Sequence, residues 1–169
     1  MNRPDQPDRT QWIAEALDQY EGRLVRYAGR ITGNLEQARD VVQETFARLC
    51  GQDPGALNGR LGPWLFAVCR NRAIELRRKD RRMHAAGELM MEGLADNAVT
   101  PAESAEDREQ SGGILQHLAT LPESQQEVVR LKFQESMSYR EISEVTGHSV
   151  SNVGFLLHTA LKTLRQRMT

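Results

Sequence analysis

Cysteine is scarce in this chain. There are two, Cys50 and Cys69, and they form no CxxC pair. This argues against a disulfide framework or a thiolate metal site and favours buried thiols in a reducing compartment. Aromatic residues make up only 5% of the sequence. No apolar run approaches the roughly 20 residues that a membrane-spanning helix requires. The first residues, MNRPDQPDRTQW, are polar and lack the apolar core of an export signal, so the expected location is the cytoplasm, without membrane insertion. His84, His117, His148 and His158 fall in no ligand spacing, and no phosphate-cradling glycine loop is present. No metal or cofactor is therefore expected.

Net charge is also nearly missing, at −1. That total conceals segregation. Residues 60–82 carry eight cations against two acids, a net +6, whereas residues 88–110 carry one cation against seven acids, a net −6. The last 16 residues hold Lys162, Arg165 and Arg167 and no acid. Two basic surfaces are thus separated by an acidic bridge.

What is present is helical periodicity. Trp12, Ala16, Leu17, Tyr20, Leu24, Tyr27, Ala28 and Ile31 recur at helical spacing until Gly33-Asn34 breaks the run. Asn34 with Gln37 predicts a capping box for a second helix, whose buried face is Ala38, Val41, Val42, Phe46 and Leu49. The glycine-rich stretch 51–62 predicts a loop. Pro63 suits the first turn of a third helix, with Trp64, Leu65, Val68 and Cys69 inward and a basic end over 77–82. Residues 83–113 are acidic and rich in helix breakers, which predicts a flexible linker with a short helical piece near 102–110. Helical patterning resumes at Ile114. The fold class is therefore all-α: a domain over 10–82, the linker over 83–113, and a second domain over 114–169.

The most specific local signal lies between Tyr139 and Leu157. Ser138 and Glu141 form a capping box, Gly147 supplies a left-handed stop, and Ser149 caps the next helix. Two helices joined so tightly touch early, and Ser143 is the small residue near their crossing. Val153, Leu156, Leu157, Ala160, Leu161 and Leu164 turn back toward the first helix. Val128, Val129, Leu131 and Phe133 of the preceding helix are expected to pack beneath the pair. This is the layout of a helix-turn-helix, whose second helix enters a DNA major groove. The opposite face presents Ser151, Asn152, Phe155, His158, Thr159 and Lys162. Ser151 and Asn152 can bond base edges or phosphates, and Phe155 can meet a thymine methyl. The alternative is a helical hairpin whose polar face is merely solvated.

The segment from Leu121 to Met168 resembles region 4 of the extracytoplasmic-function (ECF) sigma factors. The segments DVVQETFARLC and PWLFAVCRNRAIELRRK resemble region 2 of the same family. The likeness covers residues 12–82 and 114–168, and it implies a mechanism. Region 2 docks on the β′ clamp helices of core RNA polymerase through Asp40, Gln43, Glu44 and Phe46. It reads a melted −10 element, with Asn71 at the family position that helps hold a flipped base. Arg70, Arg77, Arg78 and Lys79 would follow the strand backbone. Region 4 docks on the β flap and reads the −35 duplex through the helix capped by Ser149. The linker threads toward the active-site cleft, where its acids would mimic nucleic acid. Promoter DNA and core polymerase are the implied partners, an anti-sigma factor the usual controlling one, and no catalysis by this chain is implied.

Three departures from the family pattern matter. Gln37-Ala38-Arg39 stands where two further acids are common, so the docking face is less acidic. An activating kinase acting on a nearby threonine such as Thr45 would restore negative charge. The loop before Trp64 lacks an aromatic residue that many relatives carry, and Trp64 itself is expected in the core. The reading helix has Gly154, Leu156, Thr159 and Leu161 where basic residues are common. Three other classes compete: a free-standing DNA-binding regulator, a metal-dependent hydrolase or nuclease using Asp40 and Glu44, and a pure protein-interaction module, which would leave the helix-turn-helix unexplained.

Overall fold

The computed structural model describes residues 8–87 and 116–168. They divide into two compact units, built only from helices and turns among the described residues.

The first unit contains α1 (Arg9–Thr32), α2 (Leu35–Leu49) and α3 (Leu61–Gly87). Asp8 caps α1 by accepting from the Thr10 amide at 3.2 Å. Leu24, Ala28, Ala38, Val41, Leu49, Leu65, Phe66, Cys69 and Ala73 are completely buried where the three helices meet. Each large side chain so placed contributes about 1.5–3 kcal/mol of hydrophobic transfer. Tyr27 meets Phe66 edge to face, with ring centres 5.1 Å apart. The inward stripe of α3 runs through Leu65, Phe66, Cys69 and Ala73. Trp64 and Val68, expected inside, are only half-buried. A third helix wedged against two others fixes its rotation by both contacts, and a pattern of scattered apolar residues does not define that angle.

Asn34 accepts from the Gln37 amide at 3.1 Å, as a capping residue should. The second half of the expected box does not form. The Gln37 side chain instead donates to Asp80 on α3 at 2.8 Å, and the Asn34 amide donates to Thr32 Oγ1. The loop expected over 51–62 is a chain of tight turns anchored by buried Leu57, but it ends at Arg60. Gly62 lies in the first turn of α3 against α1, where a Cβ would come within 3.0 Å of Tyr20 Oη. Only glycine allows that approach without displacing the tyrosine. Helix α3 also runs to Gly87, past the expected linker start at 83. Residues 88–113, with the piece near 102–110, lie outside the described residues.

The second unit contains α4 (Glu123–Phe133), α5 (Tyr139–Thr146) and α6 (Val150–Met168), preceded by helical residues 116–118. Leu118, Leu121, Val128, Leu131, Met137, Ile142, Val145, Val153, Leu157, Ala160 and Leu164 form its core. Val128, Val129 and Leu131 pack as expected, but Phe133 is 59% exposed. It sits at the last position of α4, where the chain turns away through Ser136 at φ 55°.

Candidate nucleic-acid interface

In the first unit, Asp40 and Gln43 are exposed on α2. Glu44 is half-buried and paired: Arg72 on α3 donates Nε to Glu44 Oε2 at 2.6 Å and Nη2 to Oε1 at 3.4 Å. Arg72 also reaches Glu75 at 3.1 Å. Hydrogen bonding to Glu44, then to Glu75, holds the guanidinium above its ordinary pKa. The Arg72–Glu75 contact is local, three residues apart along α3, but the bridge to Glu44 exists only because α2 packs on α3.

Phe46 is not available as a docking side chain, because it is 6% exposed and belongs to the core. Its place on the stripe with Val42 and Leu49 already demanded this, and that demand outweighs the motif. Thr45 corrects a second expectation. It is fully buried, and its hydroxyl donates to the Val41 carbonyl at 2.8 Å. No kinase reaches it in the folded chain, so the lost acidity before Asp40 is not restored there. Behind it, burial pushes the Cys69 thiol up to about 12, against a smaller lowering by its hydrogen bond with Thr45.

Along α3, Asn71 is exposed immediately after half-buried Arg70. Arg78, Lys79, Arg81 and Arg82 are exposed, and Arg77 is half-buried. The two acids of this stretch are both engaged, Glu75 by Arg72 and Asp80 by Gln37. The exposed surface of the helix end is therefore cationic.

In the second unit, both halves of the capping box form. The Glu141 amide donates to Ser138 Oγ at 3.1 Å, and the Ser138 amide donates to Glu141 Oε1 at 3.0 Å. Gly147 ends α5 at φ 82°, ψ −3°, its amide bonded to the Ser143 carbonyl at 2.9 Å. The Ser143 hydroxyl donates to the His148 carbonyl at 2.6 Å and ties the turn. Ser149 then caps α6 by accepting from the Asn152 amide at 3.1 Å. Val153, Leu157, Ala160 and Leu164 are buried, while Leu156 and Leu161 are half-buried. Ser149, Ser151, Asn152, Phe155, His158 and Lys162 are exposed, and Thr159 is half-buried. The Asn152 amide nitrogen lies 3.2 Å from His148 Nδ1. The expected reading residues thus share one outward face, opposite the core stripe. Two neighbours were missed: Tyr139, 43% exposed, and Lys132, whose ammonium lies 5.6 Å from the Tyr139 ring centre. The contact forms across the α4–α5 turn, which sequence spacing does not reveal.

Among the described residues, no group of three His, Cys, Asp or Glu side chains is placed to hold a metal ion. No described helix is long and apolar enough to cross a membrane.

Residues 16–83 match the family model for sigma-70 region 2, and residues 112–164 match the model for sigma-70 region 4. The ECF RNA polymerase sigma factor SigL of Mycobacterium tuberculosis is 32% identical over 88% of this chain and 84% of its own length. RNA polymerase sigma factor YlaC of Bacillus subtilis is 30% identical, over 93% of this chain and 92% of its own. The ECF RNA polymerase sigma factor SigW of the same organism is 26% identical over 92% and 88%. With both regions matched in order and these relatives aligned along nearly their full lengths, the chain belongs to the ECF sigma factors of the sigma-70 family.

Proposed function

We propose that this sigma factor binds core RNA polymerase in the cytoplasm and directs it to promoters with its two units, one gripping melted −10 DNA and the other the −35 duplex. The polymerase supplies the chemistry of RNA synthesis. Asp40, Gln43 and Glu44 meet the β′ clamp helices, with Phe46 acting from the core to set the pitch of α2. Asn71 holds a flipped base, and Arg70, Arg77, Arg78 and Lys79 follow the strand. Extrusion of a base costs a few kcal/mol, which pocket hydrogen bonds and stacking must recover. The second unit docks on the β flap and sets Ser151, Asn152, Phe155, His158, Thr159 and Lys162 in the major groove, with Ser149 fixing the helix start. The functional regions keep the limits 10–82 and 114–169, with the end of α3 carrying on past the first. Control falls to an anti-sigma factor that covers one of these faces.

One observation carries this reading. A chain matching sigma regions 2 and 4 exposes Asn71 partway along α3, ahead of that helix's cationic end, and a helix-turn-helix with an outward polar face follows. The test is run-off transcription with purified core polymerase on genomic fragments. Asn71→Ala and Asn152→Ala are each expected to lower output roughly tenfold, as loss of hydrogen bonds worth about 1–1.5 kcal/mol implies. Pre-melting the −10 segment should rescue the first variant in part and leave the second impaired. Unchanged output from both variants would overturn the residue assignments. Failure of the unaltered chain to support any initiation would overturn the function.

A further inference from the structure

The reading helix of the second unit has an unusual chemistry for its task. From Val150 to Leu161, three turns, it contains no lysine or arginine. Its first cation is Lys162, followed by Arg165 and Arg167 toward the C-terminal end. At the centre of the outward face stands Phe155, 66% exposed, the most exposed large apolar residue among those described. It lies opposite the core stripe of Val153, Leu157, Ala160 and Leu164, so no rotation of the helix about its axis would hide it without exposing that stripe. Asn152 precedes it by three residues, one helical turn, on the same side. Beside the face, the Tyr139 ring lies against Gly154, at an ordinary contact distance of 3.6 Å from where a Cβ would stand.

From this face we infer that the −35 duplex is chosen by thymine methyl groups in A·T pairs, with Phe155 as the specificity-determining residue and guanine largely ignored. The inference rests on the proposal that α6 enters the major groove. Guanine is read chiefly by two parallel hydrogen bonds from an arginine or lysine to O6 and N7. The first three turns of α6 hold no such group. The thymine C5-methyl is the one apolar feature of the major-groove edge, and an apolar ring is its natural partner. Asn152 adds the complementary contact, since a carboxamide can bond both N6 and N7 of adenine. Lys162 stands on the same face but about two turns past Phe155, so within the groove it reaches the phosphates at its edge rather than the bases that Phe155 and Asn152 meet, and Arg165 and Arg167 lie farther still; these cations add affinity without sequence preference.

The experiment uses the full chain bound to core polymerase and a promoter library with a randomised upstream window. Holoenzyme is expected to enrich windows containing thymine. The enriched duplexes are then remade with deoxyuridine, which lacks only the methyl, in place of each window thymine. Affinity should fall about fourfold per contacted methyl, the equivalent of roughly 0.8 kcal/mol. Phe155→Ser should bind the thymine and uracil duplexes equally, and Phe155→Arg should enrich guanine instead. Phe155 is a surface position, so neither variant threatens the fold, and unchanged thermal melting verifies it. Equal binding of both duplexes by the unaltered protein, or enrichment of guanine by it, overturns the inference while leaving groove entry intact. Failure to enrich any upstream sequence overturns groove entry itself.

Discussion

Gly147 is where the helix-turn-helix geometry can be tested most sharply. At φ 82° and ψ −3° it occupies the left-handed region, which costs a residue with a Cβ about 1–2 kcal/mol. A Cβ built there meets nothing within 4 Å, so the cost of Gly147→Ala is backbone strain with no clash added. A stiffer unfolded chain offsets part of that cost, by about 0.4–1 kcal/mol. The expected net loss is therefore about 1 kcal/mol, a fall of roughly 4–8 °C in the melting temperature of a domain this small. Gly147→Asn should lose less, because asparagine tolerates this region, and Gly147→Val should lose more. Gly22 is the control. It also has nothing within 4 Å of its built Cβ, but it lies exposed inside α1. Gly22→Ala should therefore stabilise, by about 0.5–1 kcal/mol. Both tryptophans, Trp12 and Trp64, lie in the first unit. Tryptophan fluorescence in urea thus reports Gly22→Ala, and far-UV circular dichroism reports the Gly147 series. Equal effects at the two sites, or a stabilised Gly147→Ala, would refute a left-handed turn between α5 and α6.

Other perturbations follow from buried groups. Thr45→Val should fold, losing at most about 1 kcal/mol with its hydroxyl bond, whereas Thr45→Glu should unfold the first unit by burying a charge; phosphate found on Thr45 of the native chain by mass spectrometry would contradict its burial. Cys50 is exposed and Cys69 buried, so iodoacetamide should label Cys50 quickly and Cys69 only at the rate of unfolding. The Cys69 thiol is raised from 9.0 to about 12, so the folded state holds that proton more tightly. The resulting stability is complete below about pH 9 and is lost as pH rises toward 12, which pH-dependent urea titration measures. Glu44→Gln removes the charge from the bond to Arg72 across a partly exposed site, where such pairs contribute under about 1 kcal/mol; calorimetry should show a small shift in melting, while polymerase affinity falls by more.

Sequence by itself determined most of what depends on neighbours along the chain. The capping box at Ser138, the stop at Gly147, the cap at Ser149 and the buried stripe of α2 are local rules of hydrogen bonding and 3.6-residue periodicity, and each forms as written. The two matched regions were legible in their motifs for the same reason. Tertiary structure decided what depends on neighbours across the fold. It turned α3 so that Phe66 went in and Trp64 stayed half out. It drew Gln37 away from its own helix start to Asp80, and Arg72 across to Glu44. It sealed Thr45, which the sequence had offered to a kinase, inside the buried face of α2. The physical reason is that burial is a property of where helices touch, and a one-dimensional pattern fixes which residues share a face but not which neighbour that face will meet.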